Sequence, residues 1–165
     1  MDWYDAANEY AKRTDAQDSR QSSLPAEWQR ELVALARVNR DVNNGAYLQF
    51  LVNGGRESYV YASQALKKIG AHTMAALIDR CQALVDEHFS SDGKSHEELR
   101  QLLPNPIFDR QGVVKDAGTV LPEPVLRRIS ELSYEFMDYP DNVAELAQSH
   151  YGPLIEGDDT RQSVT

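Results

Sequence analysis

A chain of 165 residues with 41% apolar and 26% charged side chains is long enough for one folded domain and too short to expect two. Its 26 carboxylates against 17 lysines and arginines leave a net charge of −9, which argues against direct binding of nucleic acid, a function that needs a basic patch. The single cysteine, Cys81, excludes an intramolecular disulfide and fits a reducing cytoplasm.

The opening Met1-Asp-Trp-Tyr-Asp5 has neither the basic start nor the apolar run of a secretory signal. No stretch approaches the roughly 18 to 20 apolar residues needed to span a bilayer. The expectation is a soluble, cytoplasmic protein with no membrane partner, as a monomer or homodimer. The charge is uneven: from Leu121 to Thr165 nine carboxylates stand against three arginines.

Residues 1–23 are polar, and Trp3, Tyr4 and Tyr10 are the side chains able to anchor a short helix there; the rest of the segment is expected to be loosely held. After Pro25, which suits a first helical turn, Trp28, Leu32, Leu35, Val38 and Val42 recur at helical steps and predict one buried stripe. Tyr59, Ala62, Leu66 and Ile69 repeat the pattern, with Gly70 as a left-handed cap. The clearest helix is expected from Ala71 to Phe89, where Met74, Leu77, Ile78, Cys81, Leu84 and Val85 share a face. Ser95 and Glu98 form a capping-box pattern that opens a short helix to Leu102.

Leu103-Pro-Asn-Pro106 breaks regular structure and starts a long connection to Pro124. Val125, Ile129, Leu132 and Phe136 resume the helical period, and Val143, Leu146, Ala147 and His150 open a final helix expected to stop at Gly152-Pro153. No alternating strand pattern is present. The fold expected is all-α, a single-domain irregular helical bundle of about six to eight helices, its body at 24–155 and a disordered tail at 156–165.

Between the first two helical stripes lies the densest block, Asp41-Val-Asn-Asn-Gly-Ala-Tyr-Leu-Gln-Phe-Leu-Val-Asn-Gly-Gly55. Asn44-Gly45 alone suggests a hairpin turn. The flanks overrule it, because Val42, Tyr47, Phe50 and Leu51 continue a helical face. Gly45 then reads as a close approach of two backbones, Gln49 and Asn53 share one helix face, and Gly54-Gly55 ends the helix. Two readings of the block stand side by side. In the first its amides satisfy backbone groups in a packed core. In the second Asn43, Asn44, Gly45, Gln49 and Asn53 border a polar pocket for a peptide or small ligand, or for unrecognised enzyme chemistry.

This block, with Ala65-Leu-Lys-Lys-Ile-Gly-Ala71 after it, resembles a bacterial family, the DNA-mimic-protein-like domain family, long catalogued only as a domain of unknown function. The family pattern runs Asn-Asn-Gly-Gly, aromatic, Gln, aromatic pair, Asn, Gly, then Ala-Leu and Ile-Gly-Ala. Asn43, Asn44, Gly45, Gln49, Phe50, Asn53, Gly55, Ala65, Leu66, Ile69, Gly70 and Ala71 match it. The chain departs at Ala46, where the family has a second glycine, and at Leu48 and Leu51, where aromatics are usual. Leu132-Ser-Tyr-Glu-Phe-Met-Asp-Tyr-Pro-Asp-Asn-Val143 is similar to the family's C-terminal signature. The resemblance implies a helical domain and, for the member behind the name, an acidic surface that imitates DNA and occupies a transcription factor. It brings no catalytic residues with it.

Other chemistry is weakly signalled. Cys81 and His88 share a helix face, but a nucleophilic thiol needs an electropositive, partly exposed setting, and Cys81 lies in an apolar stripe. Glu87, His88, Asp92 and His96 lack a compact metal-ligand spacing. Gly54-Gly-Arg56 offers an anion site at a helix start without the lysine and hydroxyl of a phosphate loop. No catalytic set, no metal and no cofactor are therefore expected. The better candidate is an acidic face: Glu131, Glu135 and Asp138 at steps of four and three, then Asp141 and Glu145, with Asp2, Asp5 and Glu9 as further members. On a helix such charges recur about every 5 to 6 Å, against about 3.4 Å for the phosphates of one DNA strand. The expectation is a non-enzymatic protein that binds a partner through this face, its sharpest form being a mimic of DNA for a basic DNA-binding protein.

Overall fold

The computed structural model describes residues 1–16, 25–103 and 120–162. Most of the expected connection between Leu103 and Pro124, the residues between α1 and Leu24, and the last three residues lie outside that set. The described residues form six helices and no strand: α1 (Trp3–Ala16), α2 (Glu27–Lys68), α3 (His72–Asp86), α4 (His96–Leu102), α5 (Glu123–Met137) and α6 (Val143–Gln162). No described helix is long and apolar enough to cross a membrane.

The 42 residues of α2 are not one rod. Gly45 (φ −164°, ψ 30°) and Ala46 (φ 64°, ψ −179°) interrupt it, and Gly55 (φ 67°, ψ −178°) interrupts it again. Three helical pieces result, at 27–44, 47–54 and 56–68. The first and last fold back on each other, because Arg30 reaches Tyr61, Arg37 reaches Ser58 and Lys68 reaches Glu31. Gly55 thus breaks the helix as the glycine pair predicts, but the next piece starts at once. Gly70, at φ 87°, follows α2 in the left-handed conformation expected of it.

This hairpin is the hub of the fold: α2 packs against α1, α3, α4, α5 and α6, while α3 also packs on α5 and α1 on α6. The predicted stripe supplies the contact, with Leu32, Leu35, Val38 and Val42 fully buried. They meet Phe50, Leu66, Met74, Ile78, Ile129, Leu132 and Phe136 in one core. Burying each such side chain is worth about 1.5 to 3 kcal/mol, which is what holds an interrupted helix in a fixed shape. Ser95 caps α4 as expected: its hydroxyl accepts from the Glu98 N–H at 3.2 Å, and its own N–H donates to the Glu98 carboxylate at 2.7 Å.

Two expectations need correction. The final helix does not stop at Gly152-Pro153 but continues to Gln162, so residues 156–162 of the expected tail are helical. Proline costs a helix one hydrogen bond. Here Tyr151 and Ile155 on either side of Pro153 are buried, and their packing outweighs that loss. Gly45 is not a crossing of backbones: a Cβ there would collide with the Gln49 side chain, whose Oε1 lies 1.8 Å from its place. In the N-terminal segment Trp3 and Tyr10 anchor a helix as expected, α1 running for 14 residues with Ala6 and Ala7 buried beside them, while residues 17–23 lie outside the described set.

Candidate functional site

The two segments that carry the family resemblance meet in space. The turn at Gly45 and Ala46 leaves the piece 47–54 starting with unpartnered N–H groups, as any helix does. Tyr47 N–H is satisfied from α5, donating to Ser133 Oγ at 3.0 Å, and that hydroxyl donates on to the Ile129 carbonyl at 2.7 Å. The Asn43 amide donates both to the Asn39 carbonyl at 2.6 Å and to the Tyr139 hydroxyl at 2.7 Å. Tyr139 is placed for this by a left-handed turn, φ 50°, just after α5.

Asn43 and Asn53 of the block therefore point to separate protein partners. Asn53 donates to Asp41 at 3.3 Å, and Asp41, a buried carboxylate, also receives Arg40 at 2.9 Å. Gln49 lies over Gly45. Asn44 and Gly45 are exposed at the bend. Tyr47 is fully buried, its hydroxyl donating to Gln82 at 2.6 Å, and burial pushes its pKa well above the usual tyrosine value. Near the bend a cleft of about 400 Å³ runs between Trp3, Asn39, Tyr139 and Asp141. The Asn39 Oδ1 is buried without a hydrogen-bond donor.

The acidic residues divide by what they touch. Glu131 and Glu135 are exposed on α5 and share one cation, Arg128, at 2.7 and 3.9 Å. Asp138 is exposed at the end of the same helix. Glu145 is exposed but engaged in capping α6: its carboxylate accepts from the Asn142 amide at 2.8 Å, and its N–H points at Asn142 Oδ1 at 3.4 Å. Asp141 is half-buried and accepts the Met74 N–H at 2.8 Å, which caps the first turn of α3. Asp2 caps α1 through the N–H groups of Tyr4 and Asp5, Glu9 pairs with Lys12 at 2.7 Å, and Asp5 is exposed.

The weaker candidates are held apart. Cys81 is buried, its sulfur 4.0 Å from the Ile129 carbonyl, and burial pushes the thiol up to about 12, whereas His88 is exposed. Asp92 is drawn to Arg56 at 2.8 Å and His96 Nδ1 sits 2.6 Å from the Val52 carbonyl. Among the described residues no group of three His, Cys, Asp or Glu side chains is arranged to hold a metal. Arg56, the candidate anion ligand, is committed to Asp86 and Asp92.

Sequence reasoning passed over two arginines, Arg30 and Arg37. Both are half-buried in the α2 hairpin and donate to hydroxyls rather than carboxylates. Their spacing of seven residues on one helix face was the available signal.

Residues 22–151 match the family described as DMP19-like protein. Comparison with curated proteins and with solved structures gives no match.

Proposed function

Because this chain belongs to the DMP19-like protein family over residues 22–151, we propose that it acts by binding another protein through its acidic surface, the partner being a basic DNA-binding protein. The observation that carries the reading is the outer side of α5. There Glu131, Glu135 and Asp138 lie within two turns and Arg128 is the cation that answers the first two. At a rise of about 1.5 Å per residue the three carboxylates span roughly 10 Å, the length of about three phosphates on one DNA strand. Glu145 adds an exposed carboxylate at the start of α6. Asp141 supports α3 rather than the partner. A surface with an excess of one sign speeds and orients the approach of a partner of the other sign.

The test is capture of a purified DNA-binding protein from the same cell by the immobilised chain, with salt titration and duplex DNA as competitor. Binding that weakens with salt, is displaced by duplex DNA and is lost in the variant Glu131→Lys, Glu135→Lys, Asp138→Lys, Glu145→Lys supports the reading. Binding that survives those four reversals overturns it.

A further inference from the structure

We infer that the groove between α1 and the two arms of the α2 hairpin binds a small organic carboxylate with an apolar body. The groove has a volume of about 360 Å³, within the range of pockets that hold small molecules. Arg30 and Arg37 line it from the first arm, and Ser58 and Tyr61 from the second. Arg30 donates to the Tyr61 hydroxyl at 3.0 Å and Arg37 to the Ser58 hydroxyl at 2.8 Å.

Neither guanidinium forms an ion pair among the described residues, although the chain has 26 carboxylates for 17 lysines and arginines. A half-buried guanidinium loses hydration, and a neutral hydroxyl returns less than a carboxylate would. Each has five N–H donors, and one hydroxyl takes up one of them. The arrangement is held from below by Gly54. A Cβ there would stand 2.6 Å from Ser58 Oγ and 3.0 Å from Arg37 Cδ, so only glycine lets the Arg37 side chain lie across to the second arm.

Between the two arginines, one turn from each, Val33 and Ala34 supply an apolar strip along the groove. A guanidinium without a carboxylate partner beside a hydrocarbon strip selects a carboxylate on an apolar body over a bare ion. Asp158, near the groove, is occupied by the Tyr10 hydroxyl at 3.0 Å and the Gln29 amide at 3.4 Å. Glu57 is the exposed carboxylate on the rim and works against an anion.

The experiment is calorimetric titration of the full chain with octanoate and, as the neutral control, with octan-1-ol. The expected result is saturable octanoate binding, weakened about tenfold or more by at least one of Arg30→Gln and Arg37→Gln, the loss typical of a charge-assisted hydrogen bond, with octan-1-ol binding weaker still. Glu57→Gln, an exposed change that leaves the fold intact, is expected to tighten octanoate binding and leave octan-1-ol unchanged. It keeps the test decisive should an arginine variant fail to fold. No saturable octanoate binding at millimolar concentration overturns the inference. So does octanoate affinity that is equal to that of octan-1-ol and indifferent to Glu57→Gln.

Discussion

Tyr59 donates its hydroxyl proton to Asp79 at 3.0 Å, joining the second arm of α2 to α3 through one carboxylate that also accepts Ser63 at 2.7 Å and Lys67 at 2.7 Å. Burial alone would raise the Asp79 pKa, but the hydrogen bonds from Lys67, Ser63 and Tyr59 outweigh it and hold it below the usual carboxylate range. Burial, with the Asp79 charge beside it, pushes Tyr59 up to about 12.

The pair contributes to both limbs of the stability–pH profile. Asp79 is more acidic folded than unfolded, so its contribution is complete above about pH 4 and is lost as the pH falls through the lower folded value. Tyr59 holds its proton in the fold when the unfolded chain has released it, so stability falls between about pH 10 and pH 12. Tyr59→Phe is expected to move the acid limb to higher pH and to flatten part of the alkaline limb. Urea unfolding across the pH range measures both. An unchanged acid limb would show that Tyr59 does not hold Asp79.

Ala46 and Gly55 adopt nearly the same backbone, φ 64° and ψ −179° against φ 67° and ψ −178°. That region suits glycine, and a residue with a Cβ costs about 1 to 3 kcal/mol there. Ala46→Gly is therefore expected to stabilise the chain by about 1 kcal/mol after the extra entropy of glycine is deducted. Gly55→Ala, where a Cβ meets nothing within 4 Å, is expected to destabilise by about 1 to 3 kcal/mol through the backbone alone. Urea midpoints that move in the same direction for both variants would refute the assignment.

Removing Asp141 separates a structural carboxylate from the exposed ones. Asp141→Ala leaves the Met74 N–H without its acceptor and is expected to cost about 1 kcal/mol, the usual worth of a helix cap. Asp138→Asn, at an exposed position, is expected to stay within about 0.5 kcal/mol of the parent chain. Equal effects from the two would deny Asp141 its capping role.

Cys81 is expected to resist alkylation in the folded chain at pH 8 and to react at once in denaturant, because burial holds it as the thiol up to about 12. Intact-mass measurement with iodoacetamide decides it, and rapid labelling under native conditions would mean that α3 and α5 separate readily.

What the sequence revealed follows from the range of the forces involved. The stripes through Leu32, Leu35 and Val38 and through Met74, Ile78 and Cys81 were legible because helical periodicity is local, and so was the Ser95 cap. The route of α6 past Pro153 was not, because the burial of Tyr151 and Ile155 depends on helices far away in the chain. Ala46 gave no local warning, being the best of helix formers. Its special backbone showed only as a departure from a family pattern that has glycine there. The carboxylates at Glu131 and Glu135 were visible from spacing, and their shared Arg128 lies within helical reach. The capping role of Asp141 was hidden, since Met74 is 67 residues away.

The bonds between α1 and α6 also set a clock. The Trp3 N–H donates to Gln148 across 145 residues, and the Tyr10 hydroxyl to Asp158 across 148. At the roughly 5 to 20 residues per second of protein synthesis, α1 emerges about 7 to 30 s before these partners exist. Through that interval Trp3 and Tyr10 have only the α2 hairpin to shelter against. A nascent chain stalled ahead of α6 is consequently the form in which those two aromatics are most open to chaperones.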